Sequence, residues 1–80
     1  MSYIKKILEK DQPSIEELIT CLEDVKEHGN IAVIKFDGER MQCQYTVFIS
    51  FPFTKKREMI RADEDNLKTA LFNVLNDYIR

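Results

Sequence analysis

Residues 41–53 read Met-Gln-Cys-Gln-Tyr-Thr-Val-Phe-Ile-Ser-Phe-Pro-Phe. Every odd position is apolar: Met41, Cys43, Tyr45, Val47, Ile49, Phe51 and Phe53. The even positions are Gln42, Gln44, Thr46, Phe48, Ser50 and Pro52. Side chains of a strand alternate between two faces, so this pattern predicts a long strand with one face buried and one open. One-sided burial belongs to antiparallel sheets, which points to a small α+β domain.

The preceding segment supplies the partner strand. Residues 31–36, Ile-Ala-Val-Ile-Lys-Phe, are rich in β-branched side chains. Asp37-Gly38 is a two-residue hairpin signal. That turn pairs Phe36 with Glu39, Ile34 with Met41 and Ala32 with Cys43, and sets the apolar residues of both strands on one face. A third strand is expected over Lys56 to Ala62, with Glu58, Ile60 and Ala62 facing inward, since the opposite choice buries Arg57 and Arg61.

Helices flank the strands. Residues 2–10 form a short one, with Ile4 and Leu8, and Tyr3 and Ile7, spaced four apart. Asp11-Gln12-Pro13 ends it, because proline disfavours helix in the residue before it. Ser14 and Glu17 have capping-box spacing. Ile15, Leu18, Ile19, Leu22 and Val25 follow at helical intervals, with Cys21 beside them, and Gly29 closes the helix. Asp63 is read as the cap of the last helix, with Glu64 and Asp65 in its first turn. Its apolar face is Leu67, Ala70, Leu71, Val74, Leu75, Tyr78 and Ile79. The expected architecture is a single domain over 1–80: a short N-terminal helix, then α-β-β-β-α, with a three-stranded antiparallel sheet covered on one face by two helices. This element order resembles double-stranded RNA-binding domains. Their phosphate clamp uses basic residues at the start of the last helix. Here that segment is the acidic Asp63-Glu64-Asp65-Asn66, so the resemblance covers element order and implies no RNA contact.

Composition narrows the function. The chain has 80 residues, 44% of them hydrophobic, and a net charge of -2, which is ordinary for a globular domain and too small to specify a polyanionic or membrane partner. Cys21 and Cys43 are the two cysteines and His28 the one histidine, too few for a structural zinc site. Both cysteines are expected to be buried and inert, and His28 to complement a helix C-terminus. Gly29 and Gly38 are the two glycines, so a phosphate-cradling loop has no basis. No catalytic set, metal site or cofactor site is expected. Neither a signal peptide nor a ~20-residue apolar span is legible, so the expected setting is cytoplasmic with reduced thiols.

Three surfaces carry the functional expectation. The first is an acidic helix stripe of Glu16, Thr20, Glu23 and Glu27, with Glu17 and Asp24 beside it; residues 11–28 hold six acids against one base. The second is the open sheet face, expected to carry Ile31, Val33, Lys35, Arg40, Gln42, Gln44, Thr46, Phe48, Arg57, Met59 and Arg61. The third is the loop Phe51-Pro52-Phe53-Thr54-Lys55-Lys56-Arg57. If Phe53 is exposed it is a natural anchor for a partner pocket, ringed by charge; if the loop folds back, Phe51 and Phe53 close the core. The leading expectation is a non-catalytic regulator that binds another protein, as an inhibitor, adaptor or antitoxin-like chain of the kind phages and mobile elements use. Its candidate contacts are Phe53, Lys55, Lys56, Arg57, Glu16, Glu23 and Glu27. The alternative is a nucleic-acid-binding module using Lys35, Arg40, Phe48, Arg57 and Arg61. The partly apolar open face also suggests a homodimer.

Overall fold

The computed structural model describes residues 3–80. Ser2, assigned to the first helix from the sequence, lies outside the described residues. The elements are α1 (Tyr3–Leu8), α2 (Ile15–Glu27), β1 (Ile31–Phe36), β2 (Tyr45–Ser50), a 3-10 turn (Phe53–Lys55), β3 (Ile60–Glu64) and α3 (Leu67–Ile79). The three strands form one antiparallel sheet in the order β1-β2-β3. The helices pack on one face of it: α2 on β1, α3 on β2 and β3, and α1 on α2 and α3. Helix α1 thus sits among the helices and leaves the other sheet face open. The molecule is a two-layer slab of 36 × 32 × 18 Å. No helix among the described residues is long and apolar enough to cross a membrane.

Local chemistry explains the helix ends. The Ser14 hydroxyl accepts the Glu17 amide at 3.0 Å, and the Glu17 carboxylate accepts the Ser14 amide at 2.9 Å, so the capping box is complete. Lys10 pairs with the same carboxylate; this pairing and the Ser14 amide hold Glu17 below its ordinary value. At the other end Gly29 takes φ 85°. The Gly29 amide bonds to Lys26 O at 2.8 Å and the Asn30 amide to Val25 O at 3.3 Å. This is the Schellman arrangement that ends a helix in a left-handed residue.

The core lies between the layers. Leu18, Cys21, Leu22 and Val25 of α2 meet Ala70, Leu71, Val74 and Leu75 of α3, Val47 and Ile49 of β2, and Ile4, Ile7 and Leu8 of α1. Two predicted core positions of α2 are only partly covered: Ile15 is 40% and Ile19 39% exposed.

The strand pairing departs from the predicted register. Ala32 faces Ile49, not Cys43; Ile34 faces Val47, not Met41; Phe36 faces Tyr45, not Glu39. The shift is even, so the residues that do pair, 31–36 and 45–50, keep their predicted faces. Asp37-Gly38 does begin a turn, in which the Asp37 carboxylate accepts the Glu39 amide at 3.0 Å and drops below its ordinary value chiefly for that reason. The turn opens into a loop over residues 37–44, closed by the Asp37 amide on Gln44 O at 2.8 Å. Within it Arg40 Nη1 donates to Cys43 O at 2.8 Å and Gln44 Nε2 to Arg40 O at 2.6 Å. Cys43 takes φ 54°, which a strand residue cannot. Met41 is therefore 97% exposed, and Cys43 is in a loop instead of the core.

The third strand begins later and ends later than predicted. Ile60 and Ala62 face inward as expected, but Glu58 precedes the strand and is exposed. Tyr45 pairs with Glu64 and Thr46 with Asp63, so Asp63 is a strand residue and not a helix cap. Asn66 is the cap, accepting the Thr69 amide at 3.0 Å. Each acid read as a cap or first-turn residue has another partner. Asp63 binds Arg61 and Arg40, Glu64 accepts Asn73 Nδ2 at 3.0 Å, and Asp65 accepts the Cys43 amide.

Candidate partner-binding site

The segment after β2 is built from three locally constrained residues. Pro52 sits at φ -56° and ψ 149° and starts the 3-10 turn. The Lys55 amide bonds to Pro52 O at 2.9 Å and the Lys56 amide to Phe53 O at 3.1 Å. Lys56 then takes the left-handed conformation, φ 52° and ψ 41°, and sends the chain toward β3.

Long-range contacts fix this turn against both main helices. The Phe51 ring stacks on Tyr78 with centroids 6.0 Å apart and planes within 4°. The Arg57 guanidinium lies over both rings, 4.5 Å from the Phe51 centroid and 5.5 Å from that of Tyr78. Arg57 Nη2 also donates to Asp77 O at 3.1 Å and Tyr78 O at 3.0 Å, carbonyls of the last turn of α3. Lys55 Nζ donates to His28 O at 2.6 Å, at the C-terminus of α2, and to Asn30 Oδ1 at 2.7 Å. Asn30 is buried and passes its amide on to Tyr78 Oη at 3.1 Å. Two cations of this segment therefore complement two helix C-termini, where a positive charge is favoured. Tyr78 joins the two ends through its ring, hydroxyl and carbonyl.

Phe53 is outside this network. It is 92% exposed on a turn held from both sides. A shallow depression of about 590 Å³ beside it is lined by Phe51, Pro52, Lys56, Arg57 and Glu58. Of the two sequence readings of the loop, each phenylalanine takes one: Phe51 folds back and Phe53 projects.

The structure brings together only part of the predicted partner surface. Lys55 bonds to His28 O and so sets the base of the turn at the end of α2, next in sequence to Glu27. Glu23 and Glu27 are exposed near that end, and Lys26 lies 3.4 Å from Glu27. Glu16 is at the opposite end of α2, ~16 Å along its axis from Glu27.

The open sheet face is organised around carboxylates. Val33, Phe48 and Arg61 lie side by side, as do Lys35, Thr46 and Asp63. Arg61 reaches Asp63 at 2.9 Å and Arg40 reaches it at 3.1 Å, while the Thr46 hydroxyl donates to the same carboxylate. Arg61, then Thr46 and Arg40, hold Asp63 well below the ordinary carboxylate range. Lys35 and Arg40 lie 3.4 and 3.8 Å from Asp37. Arg57 and Met59 precede β3, and Gln42 and Gln44 belong to the loop, so none of them is the strand residue that was predicted. Of the five residues read as a nucleic-acid surface, four cluster here with two carboxylates among them, and Arg57 is at the end of α3.

The remaining reactive groups are few. Burial, with Asp24 and Glu17 adding to it, pushes the Cys21 thiol up to about 11, so it is protonated at neutral pH. His28 Nδ1 lies 2.8 Å from Asp24 O at the end of α2. No three His, Cys, Asp or Glu side chains among the described residues gather as metal ligands. Sequence reading missed Asn30, Asp77 and Tyr78, the partners of the loop; the one local signal was a polar Asn30 directly after a helix-ending glycine. No family model, curated protein or solved structure matches this chain.

Proposed function

We propose that this chain is a small protein-binding regulator (inhibitor, adaptor or antitoxin-like in kind) that docks on its partner through Phe53 and the adjoining end of α2. One observation carries the reading: an aromatic side chain 92% exposed stands on a turn pinned to both main helices. Isolated exposed apolar residues are common on protein surfaces, and exposure alone needs no explanation. A rigidly mounted phenylalanine differs, because the conformational cost of presenting it is already met on folding. A ring that fills a partner pocket inside a charged rim has the anatomy of a binding hot spot. Lys56 and Glu58 supply that rim beside Phe53, and Glu23 and Glu27 extend it along α2.

The pairing of Lys35, Arg40 and Arg61 with Asp37 and Asp63 favours a protein partner over a polyanion, since phosphate binding draws on uncompensated cations. The experiment is capture by the tagged chain from lysate of its native host, with and without nuclease. A protein retained stoichiometrically after nuclease, and weakened by reversing Glu23 and Glu27 to lysine, supports the proposal. Recovery of nucleic acid alone, lost on nuclease treatment, overturns it.

A further inference from the structure

The two edges of the sheet are unlike. The β3 edge has five residues, Ile-Arg-Ala-Asp-Glu, three of them charged. Charge and shortness are how proteins protect an edge from pairing. The β1 edge is Ile-Ala-Val-Ile-Lys-Phe, with one charge, no proline and no bulge in its register. Its outward backbone groups can be assigned. The Asp37 amide bonds to Gln44 O in register with the β1–β2 ladder. Bonded and non-bonded positions alternate in an antiparallel pair, so Ile31, Val33 and Lys35 turn their N–H and C=O toward β2. Ala32, Ile34 and Phe36 turn theirs outward.

We infer that the β1 edge is the docking surface for a second copy of this chain, β1 pairing antiparallel with β1 about a two-fold axis at Ile34. Three observations select that occupant. First, this symmetric register alone sets all three outward residues against one another: Ile34 faces its own copy and Ala32 faces Phe36, giving about six main-chain hydrogen bonds. Second, sizes match across the axis. Phe36 is 66% exposed on the helix side, its ring edge-on to Tyr45 at 5.4 Å. Opposite it in the copy is Ala32, at the floor of an apolar groove of about 510 Å³ with walls that include Ile19, Leu22 and Ile34. Phe36 of the second copy fills that groove, which also covers the residual exposure of Ile19. Third, the two charges on the groove, Glu23 and Lys26, are of opposite sign, so no net charge repels an identical surface. The assembled sheet has six strands and ends on both sides in the charged β3 edge. The inference shares Glu23 with the proposed function but makes no use of Phe53, and its test reads chain mass and amide exchange instead of partner capture.

The test is the solution mass of the wild-type chain, together with hydrogen exchange of the β1 amides. The expected mass is about 19 kDa, twice the 9.5 kDa of one chain, with the Ala32, Ile34 and Phe36 amides protected as well as those of Val33 and Lys35. Phe36→Asp, at an exposed position, is expected to halve the mass and release those three amides, while Phe53→Ala leaves the mass unchanged. A wild-type mass of 9.5 kDa up to millimolar chain overturns the inference. So does a dimer in which those three amides exchange freely, since it forms through another face. Should Phe36→Asp fail to fold, the two wild-type measurements decide alone.

Discussion

Replacing Arg57 with alanine removes one guanidinium from two jobs. It donates at 3.1 and 3.0 Å to the carbonyls of Asp77 and Tyr78, and it covers the Phe51–Tyr78 stack at 4.5 and 5.5 Å. A cation at an exposed helix C-terminus contributes about 0.3–1 kcal/mol. An exposed cation–π contact contributes about 0.5–1 kcal/mol. Arg57 is exposed, so neither figure gains from a dry surrounding. The expected loss is about 1–2 kcal/mol in urea denaturation followed by circular dichroism, with an unchanged denaturant slope because the same surface unfolds. For a domain of this size each kcal/mol lowers Tm by about 4–8 °C. Arg57→Lys keeps the charge but loses the planar fork and the stacking, so it is expected to recover less than half of the loss. The reasoning is refuted if Arg57→Ala stays within about 0.5 kcal/mol of wild type, the ordinary range for surface substitutions.

Three further substitutions follow from one charge cluster and two left-handed backbone positions. Asp63 stays ionised in the folded chain below the ordinary value of 3.8, where the unfolded chain takes up a proton. Its contribution is complete above that value and is lost as pH falls below it. Asp63→Asn should therefore lower stability at neutral pH and flatten the acid side of the stability–pH curve; an acid limb as steep as in wild type counts against the cluster. At the left-handed positions the sign depends on the residue present. Gly29→Ala at φ 85° is expected to cost about 1–2 kcal/mol. Lys56→Gly at φ 52° is expected to be neutral to stabilising, strain relief being partly offset by a freer unfolded chain. Thermal melts of the pair check this, and a clear destabilisation by Lys56→Gly contradicts it.

What could be read from the sequence was what neighbours in the chain decide. The period of two over 41–53 gave the correct face for Val47 and Ile49, and the spacing of Ser14 and Glu17 gave a complete capping box. Register was not legible. Asp37-Gly38 does turn the chain, but Cys43 in a left-handed conformation and Arg40 folded back on Cys43 O make a longer loop. The run Asp63-Glu64-Asp65 reads locally as a cap. Apart from Arg61, two residues before Asp63, its partners are Arg40, Asn73 and the Cys43 amide, which lie 23, 9 and 22 residues from the acids they meet. Lys55 and Arg57 looked like free surface charge for the same reason: the carbonyls they complement lie 27 residues away for Lys55 and 20 and 21 residues away for Arg57. Phe51 and Phe53 share a strand-like pattern, and only the stacking of Phe51 on Tyr78 separates their fates.

The most direct measurement is capture of protein from host lysate by wild-type and Phe53→Ala chains of matched Tm, after nuclease. Because Phe53 is 92% exposed and the loop bond it makes is through its main-chain carbonyl, its truncation should leave the fold intact. The account predicts a partner bound stoichiometrically by the wild type and lost, or weakened at least about tenfold, with Phe53→Ala, the ~1.4 kcal/mol or more expected of a hot-spot residue. Equal capture by both chains would contradict it.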